Sequence, residues 1–138
     1  MEDFSECKVL VVDDSEFNLN VLAKTLADEC EVKTAHGGES AIRMVESDPP
    51  DLILLDIMMP EMNGYEVCSR LKSDARTRDI PIVFLTAMDE AENRKKGFEL
   101  GAVDYITKPF DRLELLTKVS THLSLLLSRR ELAKFKEK

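Results

Sequence analysis

Five residues carry side chains suited to one kind of chemistry. Asp13, Asp14 and Asp56 are carboxylates, Thr86 has a hydroxyl and Lys108 an ammonium. Carboxylates brought together repel one another, and a divalent cation relieves the repulsion. Oxygen-only ligands with open positions suit Mg2+, which takes a few carboxylates and keeps water or phosphate on its other positions. Lys108 offers a point cation and Thr86 a hydroxyl donor, both matched to phosphate oxygens. Singly, each is ordinary. Asp13 or Asp14 alone is a helix cap, Asp56 a turn residue, Thr86 a strand end and Lys108 a solvated lysine. The chemistry requires a scaffold that delivers all five to one edge.

The elements supply such a scaffold. Asp51-Leu52-Ile53-Leu54-Leu55-Asp56 runs apolar into one aspartate, and Pro60, Asn63 and Gly64 follow in a loop. Such a run reads as a strand buried on both faces. Cys7 to Val12 is a second such run, stopping at Asp13-Asp14, and Ser15 is placed to cap a helix. Phe17, Val21, Leu22 and Leu26 then recur at helical spacing, to about Asp28. Glu31 to Ala35 is a weaker strand. Gly37-Gly38 breaks the chain, and Ala41, Ile42 and Val45 mark a helix that Asp48-Pro49-Pro50 ends. Tyr65, Val67, Cys68 and Leu71 fit a third helix. Pro81 to Leu85 is a buried strand ending at Thr86. A polar helix spans Glu90 to Leu100, with Gly101 as its stop. Val103 to Ile106 is a short strand leading to Lys108-Pro109. Asp111 and Glu114 form a capping-box-like start to the last helix.

Strand and helix alternate five times. That pattern predicts an α/β fold with a parallel sheet, helices on both faces and right-handed crossovers. In such a sheet the chemistry collects beyond the carboxyl ends of the strands. Asp13, Asp14, Asp56, Thr86 and Lys108 all fall at those ends. Their joint placement turns five ordinary residues into a site.

Composition excludes other classes. The chain is 43% hydrophobic and 33% charged, enough for a core and unlike a disordered segment. Its 138 residues suit one domain. Lys and Arg total 19 against 27 Asp and Glu, a net charge of -8, which lacks the basic footprint of a nucleic-acid binder. Cys7, Cys30 and Cys68 are odd in number with no Cys-x-x-Cys pair, so neither a disulfide framework nor a zinc site is expected. His36 and His122 have no ligand spacing. There is no signal-peptide pattern and no apolar run of membrane-spanning length, so a cytoplasmic location without membrane contact is expected.

The chain resembles the receiver domain of two-component response regulators, from residue 7 to about 125. The resemblance rests on Val11-Val12-Asp13-Asp14, on Asp56-Ile57-Met58-Met59-Pro60-Glu61-Met62-Asn63-Gly64, on Leu85-Thr86-Ala87, and on Gly101-Ala102-Val103-Asp104-Tyr105-Ile106-Thr107-Lys108-Pro109-Phe110. It implies a flavodoxin-like, doubly wound, five-stranded parallel sheet, (βα)5, in strand order 2-1-3-4-5. Asp56 looks like the phosphoacceptor. Asp13 and Asp14 look like the Mg2+-binding pair, helped by Asp56 and the Met58 carbonyl, with Mn2+ as a substitute ion. Lys108, Thr86 and Ala87 look like the phosphate-binding set. Thr86 and Tyr105 look like the switch pair. Lys108-Pro109 is similar to the family's cis peptide bond. Met58 and Met88 resemble positions that tune phosphoryl lifetime. Val103 departs from the pattern at a position often acidic in the family, outside the site.

The resemblance implies a signalling switch rather than an enzyme acting on other molecules. Its partners would be a sensor histidine kinase or a phosphotransfer protein. A homodimer would form through helix 4, strand 5 and helix 5, or through the extended last helix. Residues 1–125 are expected to be the receiver domain. Residues 126–138 are expected to extend the last helix as a coiled coil or linker, similar to receivers ahead of cyclic-dinucleotide enzymes or in hybrid kinases. In that helix Leu113, Leu116, Val119, Leu123 and Leu126 form one apolar line, and Leu125, Leu132 and Phe135 a second. From Ser128 onward nothing is left in the domain to cover. Two other classes fit less well. A haloacid-dehalogenase-like phosphatase wants Asp-x-Asp after its first strand, where Asp13 and Asp14 are adjacent. A flavin or nucleotide binder wants a glycine-rich first turn, where Asp13-Asp14-Ser15-Glu16 is acidic.

Overall fold

The computed structural model describes residues 3–87 and 91–136. The elements are β1 (Lys8–Val12), α1 (Glu16–Leu26), β2 (Glu31–Ala35), α2 (Gly38–Ser47), β3 (Leu52–Asp56), α3 (Gly64–Lys72), β4 (Ile82–Thr86), α4 (Ala91–Glu99), β5 (Asp104–Thr107) and α5 (Arg112–Lys136). All strand pairs are parallel, in order β2-β1-β3-β4-β5. The parallel sheet is the one expected from the alternation, and its flavodoxin-like order is the one the receiver-domain resemblance implies.

Side chains alternate across each strand, so the sheet builds a core on each face. Leu10, Val12, Ile53, Leu55, Ile82 and Phe84 meet Ala41, Ile42 and Val45 of α2 and Val67, Cys68 and Leu71 of α3. Val9, Val11, Leu52, Leu54, Val83, Leu85 and Ile106 meet Leu19, Leu22 and Leu26 of α1 and Leu115, Val119 and Leu123 of α5. β3 and β4 are buried along their whole length, whereas edge strand β2 is buried only at Ala35. Each fully buried Leu, Ile or Val contributes about 1.5–3 kcal/mol. The three cysteines are buried and free.

Several local details differ from the sequence expectation. Phe17 is 74% exposed, and Leu19 takes the core position. Leu113 is likewise exposed while Leu115 is buried. Leu113, Leu115 and Leu116 permit two apolar lines, and only docking on the sheet selects between them. β5 begins one residue late, at Asp104, although Val103 N–H already bonds to the Ile82 carbonyl of β4. A complete capping box belongs to α3, where Asn63 and Glu66 bond each other's backbone N–H. At α5, Asp111 Oδ1 accepts from Leu113 N–H at 3.3 Å, while Glu114 pairs with Lys118.

The end of α5 is also tied to the domain. Arg130 Nη2 donates to Asp51 Oδ1 at 2.6 Å, and Asp51 Oδ2 accepts from Lys8 N–H at 2.7 Å. Leu127 packs against the α1/α5 core. Arg130 therefore ties the helix to the domain two residues beyond Ser128, while Leu132 and Phe135 further on are exposed.

Candidate functional site

Register brings the polar strand ends together. Val12 lies beside Leu55, so Asp13 stands level with Asp56. Asp56 lies beside Leu85, which puts Thr86 one step further along. Thr86 lies beside Thr107, which puts Lys108 one step beyond that. The carboxylates of Asp13, Asp14 and Asp56 each bring an oxygen within 4.8 Å of the others. Asp13 and Asp56 are buried, at 0% and 2% exposure, and Asp14 is exposed.

Lys108 Nζ lies 3.0 Å from Asp56 Oδ1 and 3.2 Å from Asp13 Oδ2, bridging the two buried acids. Asp13 is held from a second side. Its Oδ1 accepts from Ser15 N–H at 2.9 Å and its Oδ2 from Asn18 Nδ2 at 3.2 Å. The Asn18 bond was not foreseen, although a residue on the first turn of α1 is the natural partner of a strand-end acid. Burial pushes the Asp56 carboxyl up to about 6; the Asp13 and Asp14 charges add to this and the Lys108 hydrogen bond opposes it. Burial pulls the Lys108 ammonium down, but Asp56 and Asp13 outweigh it, and the pKa lies above the ordinary lysine value.

The loop after Asp56 packs back on the acceptor's own backbone. Gly64 N–H donates to the Ile57 carbonyl at 2.9 Å, and a Cβ at position 64 would lie 2.2 Å from the Asp56 carbonyl oxygen. Only glycine fits there. Glu61, at φ 68°, takes the left-handed turn that closes this loop. Ile57 and Met59 point into the core, and Met58 stands 76% exposed above it. Ala87 and Pro109 are exposed at the same edge, and the Lys108–Pro109 peptide is cis. Met88 lies outside the described residues.

Thr86 is 7% exposed and lines a recess with Ile57, Phe84, Gly97, Ala102 and Tyr105. Tyr105, half-buried on β5, thus shares a recess with the strand-end hydroxyl. Asp104, Lys118 and Arg94 lie around it and His122 bonds to Asp104, a polar group that sequence spacing did not reveal. His122 Nε2 lies 2.9 Å from Asp104 Oδ2.

The fit to a divalent cation is direct: three carboxylate oxygens converge and, among the described residues, one ammonium, that of Lys108, pairs with them. A cluster of three aspartates at the carboxyl edge of a 2-1-3-4-5 parallel sheet fits the flavodoxin-like class of receiver folds. Within it the chain belongs to the response regulator receiver domain family, whose pattern matches residues 9–120. The chain is 49% identical over 113 residues to the response regulator PleD of Caulobacter vibrioides, covering 81% of this chain and 25% of that protein. It is 46% identical over 123 residues to a Vibrio cholerae protein named "Probable cyclic di-GMP phosphodiesterase", covering 89% of this chain and 28% of that one. The chain thus spans about a quarter of the length of these relatives. Among solved structures, the chemotaxis response regulator CheY4 of Vibrio cholerae superposes with a TM-score of 0.81 at 31% identity, covering 86% of this chain and 99% of that one. Receiver domains are signalling switches that bind Mg2+ at an acidic pocket and work with histidine kinases or phosphotransfer proteins. No helix among the described residues is long and apolar enough to cross a membrane.

Proposed function

We propose that this chain is a phosphorylation-controlled switch in which Asp56 accepts a phosphoryl group from the phosphohistidine of a sensor kinase or phosphotransfer protein. The observation that carries this is the Lys108 bridge across two buried carboxylates beside a third. Asp13, Asp14, Asp56 and the Met58 carbonyl are the residues to hold Mg2+, or Mn2+ in its place. When bound, the ion neutralises charge on the phosphoryl oxygens.

An Asp56 oxygen attacks phosphorus in line. The P–N bond breaks and its electron pair leaves with the imidazole. Positioning and charge neutralisation do most of the catalysis. Lys108, already at Asp56, pairs with a phosphoryl oxygen. Thr86 donates its hydroxyl to another, and Ala87 has its backbone N–H to offer. Thr86 moving toward phosphate opens the recess it lines, and the Tyr105 ring moves inward. The surface of α4, β5 and α5 changes shape, and with it the contacts to an output partner or a second copy. Met58 and Met88 hinder water and lengthen the phosphoryl lifetime. Residues 1–125 form the receiver unit, and 126–138 extend α5 as a coiled coil or linker. The chain turns over only its own phosphorylation and dephosphorylation.

Incubation with acetyl phosphate and Mg2+, followed by intact mass, tests the core of this. One phosphate adduct, lost in Asp56→Asn, is expected. Wild-type protein that takes up no phosphate refutes it.

A further inference from the structure

Tyr105 is held from several sides at once. Arg94, on α4, places its guanidinium carbon 4.4 Å from the ring centroid. Lys118, on α5, places Nζ 5.0 Å from the same centroid. Phe98 meets the ring edge-on at 5.9 Å. Lys118 Nζ also donates to the Tyr105 carbonyl at 2.7 Å and pairs with Asp104 at 3.4 Å and Glu114 at 3.6 Å. Asp104 Oδ1 accepts from Tyr105 N–H at 2.8 Å. Burial raises the Asp104 carboxyl, but His122, that N–H and Lys118 together hold it below the usual carboxylate range. One network thus fixes the backbone at Tyr105 and sets cations from two helices on its ring. In the same structure Lys108 Nζ lies 3.0 Å from Asp56 Oδ1.

We propose that Arg94 and Lys118 are positioning residues for the switch: a two-cation clasp that holds the Tyr105 ring where it is seen and sets how readily it moves. The inference rests on the proposed switching role of Tyr105. A ring that leaves these cations forfeits both attractions, each a factor of about two to five in population for a partly exposed pair. Coupling between sites is reciprocal. If phosphoryl chemistry at Asp56 displaces the ring, loosening the ring must strengthen binding of a phosphoryl mimic by the same factor.

The test is a double-mutant cycle read by beryllofluoride affinity in Mg2+. Arg94→Leu and Lys118→Met are each expected to tighten beryllofluoride about two- to fivefold. Lys118→Arg keeps the cation and is expected to stay at the wild-type value. In a Tyr105→Ala background the same substitutions are expected to have no effect. A merely structural role would move the urea midpoint and leave the affinity unchanged. If Tyr105→Ala alters affinity but Arg94→Leu and Lys118→Met do not, the clasp is overturned and the switch stands. Tightening that persists without Tyr105 also overturns the clasp. If Tyr105→Ala itself leaves affinity at wild type, the switching role falls and the clasp with it.

Discussion

Gly64→Ala measures how tightly the acceptor is held. The added Cβ falls 2.2 Å from the Asp56 carbonyl oxygen, 2.9 Å from Ile57 Cα and 3.0 Å from the Asp56 carbonyl carbon. All three are backbone atoms, so no side chain can swing aside. The end of β3 and the loop must separate. Overpacking of this kind costs about 1–3 kcal/mol. Separation also weakens the 2.9 Å bond from Gly64 N–H to the Ile57 carbonyl, worth about 1 kcal/mol. It disturbs the adjoining Asn63–Glu66 cap, worth about another 1 kcal/mol. Alanine restricts the unfolded chain and returns roughly 0.4–1 kcal/mol. The net is a destabilisation of about 2–4 kcal/mol, a fall in Tm of roughly 8–16 °C at about 4 °C per kcal/mol. Urea unfolding measures this. The initial rate of phosphorylation from acetyl phosphate is expected to fall at least about tenfold, since a displacement of an ångström at a reacting group costs that much or more. A variant within about 0.5 kcal/mol of wild type, phosphorylated at the normal rate, would refute the claim that this loop fixes Asp56.

Gly37→Ser provides the contrast. Gly37 caps α2 with extended backbone, no side-chain cap bond and open space around it, so serine is expected to add about 0.3 kcal/mol; a loss of stability in urea would contradict this. Asp56→Asn is expected to stabilise the protein in metal-free buffer near neutral pH, and less so in acid. The folded state raises the Asp56 pKa to about 6, so the stability linked to its proton is present at low pH and disappears as pH rises through that value. A stabilisation that grows on acidification would overturn the sign. Arg130→Met is expected to cost under about 1 kcal/mol, as a half-exposed pair should, yet to speed hydrogen exchange in residues 128–136; unchanged exchange would mean that Asp51 does not anchor the helix. Asp51→Ala is expected to cost more, about 1–3 kcal/mol, because it also strips the acceptor from Lys8 N–H.

What the sequence made legible was what repeats locally. Apolar runs ending in Asp13, Asp56 and Thr86 located three strand ends, and strand-helix alternation made those ends converge. Phase within a helix was less legible. Adjacent leucines at 113, 115 and 116 satisfy the helical period in more than one way, and only the sheet chose Leu115. The Asn63-x-x-Glu66 box was written in the sequence and overlooked beside the Pro60 and Gly64 turn signals. The Arg130–Asp51 pair and the charges around Tyr105 join residues distant in the chain. Charges scattered on exposed faces carry no period, so their partners emerge only when the fold sets two elements side by side.

α5 is, mechanically, a beam on two supports. Lys118 and His122 fasten it to β5, and Arg130 fastens it to the start of β3. Twelve residues separate Lys118 from Arg130, about 18 Å of helix. A shift at the first support that tilts the helix strains the second, and a half-exposed pair worth under about 1 kcal/mol is the first to give way. Removing that second support leaves the turns beyond Leu127, the last residue packed on the core, as a cantilever whose free end sweeps in proportion to its length.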